Sequence, residues 1–339
     1  MNPKERLYKV LKGEKVDRPP CICPGGMMNM IVEDVMDIED VKWPKAHSDS
    51  KMMADLTQGM YKNNGFENFG VPFCMTVEAE GMGADVYMGT KNTEPRVTQY
   101  PIESVADWKN LNKIDVNKGR AKVVIDAIKI LKERNEEVPI IANLTGPISL
   151  ASSLLEPMIY YKEIRRKNQQ AHEFMEFVTE NLIEFGKAQL QAGADVLTIS
   201  DPSGTGEILG AKTFNEFAIP YLNKIIDTLK SYAPGGTIIH ICGRLKSIYK
   251  ELNTLHSDAI SFDSITSAKQ VIENVPNKVI MGNISTFALE NSDKESLEVM
   301  CNSCLNSGVD ILSPACGIGV RTKLENINVL VECAKNHKR

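Results

Sequence analysis

The chain has 339 residues, 42% of them apolar and 24% charged, so it can bury a large core and is excluded from the disordered and low-complexity classes. A net charge of −5 leaves no overall basic footprint, which argues against nucleic acid as a partner. No apolar run approaches the ~20 residues of a membrane span, and the opening MNPKERLYKVLKGEKVDRPP reads as a charged helix with a proline-rich stop, not a signal peptide. The expectation is a cytoplasmic protein with no membrane partner.

Short apolar, β-branched runs recur along the chain. In order they are PPCICP (19–24), GVPFCMT (70–76), VPIIANL (138–144), ADVLTIS (194–200), GTIIHIC (236–242), DAISFDS (258–264), KVIMGNI (278–284) and VDILSPAC (309–316). Most are continuous apolar stretches bounded by Gly, Pro or Asp, as expected for strands covered on both faces of a parallel sheet. Between them, 244–256, 266–276 and 294–308 carry helical periodicity. The interval 25–69 holds more than one helix, 145–193 two or three, and in 77–137 the runs GADVYMGT and RVTQYPI read as a hairpin before another helix. Eight strand-and-helix units predict a single (β/α)8 TIM barrel spanning 1–339, with an N-terminal helical extension and insertions. The runner-up is a doubly wound open sheet, which would usually bring a glycine-rich first turn; no G-x-G-x-x-G follows the first run.

In such barrels the active site forms at the carboxyl ends of the strands. The residues there include Cys23 followed by PGGMMNM, then Glu78, Asn143, Asp201, His240 with Cys242, Asp263, Asn283, and Cys316 within SPACGIG. Side chains alternate along a strand, so His240 and Cys242 project to one side while Ile239 and Ile241 point to the other. With Cys316 they form a set of imidazole and thiol ligands that suits zinc with one position left open. The same residues also suit buried packing, because a free cysteine is often just a small core side chain. Eight cysteines without an export signal point to reduced thiols or metal ligands rather than disulfides. Cys301 and Cys304 form a C-x-x-C within a helical pattern and are expected to pack structurally, while His47, His172, His256 and His337 are expected in solvated or capping roles. No G-x-S-x-G elbow or phosphate-binding P-loop is present.

Taken together, LKGEKVDRPP near the start, FCMTVEAEGMGADVYMGT at 73–90, AGADVLTISDP at 192–202, HICG at 240–243 and SPACGI at 313–318 resemble the uroporphyrinogen decarboxylase superfamily, and within it the methylcobamide:coenzyme M methyltransferase branch. The resemblance runs from about residue 3 to 335. It implies zinc held by His240, Cys242 and Cys316, with Asp263 as a possible fourth ligand where the family places a carboxylate. It implies a methylated corrinoid (cobalamin-type) co-substrate carried on a small partner protein, and a thiol such as coenzyme M as methyl acceptor. Glu78, Asn143, Asp201 and Asn283 would orient the acceptor or the corrinoid edge. Porphyrinogen decarboxylation fits poorly, since CPGGMMNM offers none of the arginines that hold propionates. Other readings stay open: an enzyme of O-demethylation or methylotrophy that moves methyl from a methyl ether to Co(I), with Met27, Met28 and Met30 lining its pocket; a tetrahydrofolate-dependent enzyme; or a zinc-free corrinoid-binding barrel.

Overall fold

A computed structural model describes residues 1–134 and 137–338. Nine strands occur in it: β1 (Phe69–Val71), β2 (Asp85–Tyr87), β3 (Arg96–Gln99), β4 (Ile140–Thr145), β5 (Val196–Ser200), β6 (Thr237–Ile241), β7 (Ala259–Phe262), β8 (Val279–Ile284) and β9 (Ile311–Pro314). Seven of them pair in parallel in the order β1-β4-β5-β6-β7-β8-β9. The pair β2–β3 forms the antiparallel hairpin expected within 77–137.

The eighth position is filled by residues 19–24, but not by a regular strand. Cys21 makes one parallel bridge to Leu312 of β9, with Ile22 N donating to Leu312 O at 3.1 Å and Leu312 N to Pro20 O at 3.0 Å. On the β1 side one backbone bond remains, from Glu67 N to Cys21 O at 2.9 Å, and side chains supply the rest: Cys21 N donates to Glu67 Oε2 at 3.0 Å, Cys23 N donates to Asn68 Oδ1 at 3.0 Å, and Asn68 Nδ2 donates to Cys23 O at 2.8 Å. Pro19, Pro20 and Pro24 have no N–H to give, which explains why this run closes the barrel without forming a ladder. The architecture is a (β/α)8-type barrel with seven regular strands and one extended closing segment.

Alternation within the strands sorts apolar from polar. Leu197, Ile199, Ile239 and Ile241 are all buried at 0–1% exposure. The in-register row Thr145, Ser200, His240, Ser261 occupies the other face near the carboxyl ends. At the opposite end, the helix Pro3–Leu11 starts from a capping box between Asn2 and Glu5. It is tied to the barrel by Asp195, which pairs with Lys4 at 2.7 Å, accepts from Tyr8 Oη at 2.8 Å and accepts from Ile140 N at 2.9 Å. This is the N-terminal extension. The interval 145–193 resolves into three helices, Pro147–Leu154, Pro157–Arg166 and Asn168–Gln191, whereas 244–256 is broken into a 3-10 turn (Lys246–Ile248) and a short helix (Tyr249–Leu252).

Candidate metal centre at the barrel mouth

His240 lies on the last turn-facing row of β6, and Cys242 follows two residues on, just past the strand. Cys316 arrives from the loop after β9. Their ligand atoms all lie within 4.8 Å of one another. His240 Nε2 is 3.0 Å from Cys242 Sγ, and Cys242 Sγ is 3.8 Å from Cys316 Sγ. His240 is fully buried, while both thiols are partly open toward the mouth. The imidazole is aimed from behind: its Nδ1 is 2.9 Å from the buried Ser261 Oγ. In the tautomer that a metal requires, Nδ1–H would donate to that hydroxyl and Nε2 would present its lone pair on the side of the two sulfurs.

The two thiols are in hydrogen-bonding contact, Sγ to Sγ 3.8 Å. A hydrogen bond from Cys242 holds Cys316 below the ordinary thiol range, against the effect of burial and with help from His240 and the Gly317 N–H. The same contact, together with burial, pushes Cys242 up. The contact thus favours the thiolate form of Cys316, the form in which a cysteine binds a metal, while Cys242 would lose its proton on binding one. The donor set of one oriented imidazole and two adjacent sulfurs fits zinc.

Asp263, expected as a fourth ligand, lies outside that cluster. Its carboxylate accepts from Gly243 N at 3.2 Å, Ile265 N at 3.1 Å and Ser264 Oγ at 3.3 Å. The side chain thus fastens the loops after β6 and β7. The four residues expected to orient substrate are also committed to the scaffold. Glu78 is buried, with its carboxyl pushed up by that burial, and accepts from Thr145 N at 2.8 Å and Thr145 Oγ1 at 3.1 Å. Asp201, likewise pushed up by burial, accepts from Ser149 N at 2.8 Å, Ser149 Oγ at 2.6 Å and Ile148 N at 3.2 Å, which caps the helix Pro147–Leu154. Asn143 Nδ2 donates to Pro24 O at 2.8 Å and Val71 O at 3.1 Å, pinning the turn after the closing segment. Asn283 Nδ2 donates to Asp263 O at 3.1 Å and Thr266 O at 2.8 Å, fixing the loop after β7.

Among the other candidates, Cys304 donates to Gly282 O at 3.2 Å and accepts from Asn283 N at 3.3 Å, a packing role as expected for the C-x-x-C. Cys23 donates to Met28 O at 3.2 Å beneath the mouth. Met28 and Met30 are core residues, and of the three methionines only Met27 is partly open. His47 departs from expectation: it is buried between Trp43 and Phe73, and burial, then Arg120, push its pKa to about 3. His172 and His256 pair with Tyr221 Oη at 2.7 Å and Asp227 at 2.8 Å.

Two residues near the cluster went unread in the sequence. Ser261 was legible in principle, as a hydroxyl in an apolar run one register step from His240. Glu94 gave no signal, because only the β2–β3 hairpin brings it over the mouth. Its carboxyl is pushed up to about 7, first by burial and then by the charge of Cys316.

The fold and the cluster together define a parallel (β/α)8 protein whose strand ends gather a nitrogen-and-sulfur donor set at one mouth. The chain belongs to the uroporphyrinogen decarboxylase (URO-D) family, whose model matches residues 2–337. It is 33% identical over 338 residues to the methylcobamide:CoM methyltransferase MtbA of Methanosarcina acetivorans, covering 99% of this chain and 98% of the relative. It is 32% identical over 334 residues to the methylcobamide:CoM methyltransferase MtaA of Methanosarcina barkeri, covering 97% and 96%. A solved methyltransferase from Methanosarcina mazei superposes with a TM-score of 0.89 at 31% identity, covering 99% of this chain and 98% of the other. No helix among the described residues is long and apolar enough to cross a membrane.

Proposed function

We propose that this protein is a corrinoid-dependent methyltransferase that moves a methyl group from a methylated corrinoid to a thiol, with zinc held by His240, Cys242 and Cys316. Coenzyme M is the acceptor, as in the names of its relatives. The observation that carries the reading is the placement of one oriented imidazole and two adjacent thiols at the carboxyl ends of β6 and β9, their donor atoms within 4.8 Å. When bound there, zinc supplies a Lewis acid that keeps the acceptor thiol deprotonated at neutral pH.

The chain's own residues do the rest. Ser261 fixes the imidazole's orientation from the barrel interior. The partly open face of Cys242 and Cys316 admits the acceptor from the mouth, where its proton can leave to solvent. Asn143, Asp201, Asp263 and Asn283 hold the surrounding loops in place, which keeps the reacting atoms aligned for an in-line displacement. The acceptor sulfur attacks the methyl carbon of methyl-Co(III). A carbon–sulfur bond forms, the cobalt–carbon bond breaks, and both electrons remain on cobalt as Co(I).

The corrinoid is carried on a separate small protein that docks over the mouth. The turn beside Cys316 presents the neutral Met27 rather than a cation, which fits a thiol acceptor better than a polycarboxylate porphyrinogen. The test is the absorbance change on demethylation of methylcobalamin by the zinc-loaded protein, comparing coenzyme M, tetrahydrofolate and no acceptor. Demethylation with coenzyme M alone is expected. Demethylation with tetrahydrofolate alone, or transfer from an aryl methyl ether to Co(I), would overturn the assignment.

A further inference from the structure

Met27 sits on the turn after the closing segment, and its Sδ is 3.7 Å from Cys316 Sγ. The backbone beneath it is clamped on three sides. Gly25 and Gly26 adopt φ of +93° and +62°, which only glycine enters readily. A Cβ on Gly26 would come within 2.6 Å of Asn143 Cβ, and one on Gly317 within 2.6 Å of Met27 O. Gly26 N donates to Pro72 O at 2.7 Å, and Ile318 N donates to Asn29 O at 2.9 Å. The Cys316 loop and the Met27 turn are thus held against each other, with the thioether on the cluster.

Sulfur ligands of a tetrahedral zinc with bonds of ~2.3 Å stand about 3.8 Å apart. The spacing between Cys242 Sγ and Cys316 Sγ is 3.8 Å, and that between Cys316 Sγ and Met27 Sδ is 3.7 Å. Both match an edge of that tetrahedron. Asp263, the carboxylate expected as fourth ligand, has its oxygens engaged by Gly243, Ser264 and Ile265, and the Glu94 carboxyl near Cys316 is pushed up to about 7, toward its neutral form.

We propose that the thioether of Met27 closes the fourth corner of the zinc site at rest and is displaced by the incoming thiolate. This rests on the zinc reading above and deepens it. The chemistry favours the exchange. Two thiolates already balance the metal's charge, so a neutral, soft sulfur adds no charge and binds weakly. An anionic thiolate then replaces it, leaving a net negative site on which the acceptor sulfur is more nucleophilic. An unbranched side chain on a clamped backbone can swing away without moving the turn.

The experiment uses selenomethionine-labelled protein loaded with zinc, read by selenium K-edge EXAFS as the difference from Met27→Leu. A zinc neighbour at selenium is expected in the parent, absent in the variant, and lost from the parent on adding coenzyme M. In parallel, Co(II)-substituted protein is titrated with coenzyme M and followed by its absorption bands. Met27→Leu is expected to bind the thiol about tenfold more tightly, equivalent to about 1.4 kcal/mol of bond no longer displaced. Stoichiometric zinc without a selenium neighbour, or unchanged thiol affinity in the variant, overturns this inference alone. Failure of the parent to hold zinc overturns the metal reading and this inference with it.

Discussion

Ser261→Ala removes a single hydroxyl that touches nothing of the acceptor yet should weaken the metal site. Ser261 Oγ is 2.9 Å from His240 Nδ1, and both residues are fully buried. Without it the imidazole N–H is left unpaired in the barrel interior, and the ring loses the contact that aims Nε2 at the two sulfurs. An unsatisfied buried donor costs about 1–3 kcal/mol, which at about 1.4 kcal/mol per decade corresponds to roughly 10–100-fold in affinity. The assay is competition for zinc against a chelator of known affinity, on parent and variant, with chemical unfolding of the zinc-free proteins alongside. Weaker zinc binding by one to two orders of magnitude is expected, with about 1 kcal/mol lost from metal-free stability. Parent-like affinity in a destabilised variant would refute the reasoning, because the hydrogen bond would then serve packing and not the ligand.

Glu94, with its carboxyl raised to about 7, should make the metal-free protein pH-sensitive. Its folded pKa lies above the unfolded value, so its contribution is full below about pH 4.5 and is lost as pH rises through about 7. Unfolding at about pH 5 and about pH 8 should therefore show a decline that flattens in Glu94→Gln; an identical pH profile in the variant would contradict the placement of this carboxyl. At the base of the closing segment, Glu67 is 5% exposed and accepts from Arg18 Nη1 at 2.9 Å and Cys21 N at 3.0 Å. Glu67→Gln leaves the guanidinium without its anion, so urea unfolding should show a loss of about 3–5 kcal/mol; a loss below about 1 kcal/mol would mean that the pair behaves as a surface one. Gly317→Ala places a Cβ 2.6 Å from Met27 O and 2.8 Å from Asn29 N. The turn must shift, costing about 1–3 kcal/mol, and zinc affinity should fall with stability; unchanged affinity would show that Cys316 is held independently of this contact.

The continuous apolar runs of β4 to β9 revealed the barrel because strands covered on both faces need apolar side chains on both. The run 19–24 carried the same pattern but did not become a regular strand, since three prolines remove donors from it and the side chains of Glu67 and Asn68 take up much of the pairing toward β1. His240, Cys242 and Cys316 were legible as a set because strand alternation and barrel closure bring them to one mouth. The roles of Glu78, Asn143, Asp201 and Asn283 were not. A polar residue at a strand end looks the same in sequence whether it faces a ligand or fastens the scaffold, and here each one has backbone or hydroxyl partners in a neighbouring strand, loop or helix. Met27 was legible as one of three methionines that could line a pocket, but its place against Cys316, like that of Glu94, depends on where a turn and a hairpin fold back over the barrel, which no local pattern encodes.

The most direct measurement of the central claim is proton release when coenzyme M binds the zinc-loaded protein, taken calorimetrically near neutral pH in two buffers of different ionisation enthalpy. A thiol activated on the site should release about one proton per zinc, and the release should vanish in Cys316→Ala. Binding of coenzyme M without proton release, or release that persists in Cys316→Ala, would contradict the assignment of His240, Cys242 and Cys316 as the centre that activates the acceptor.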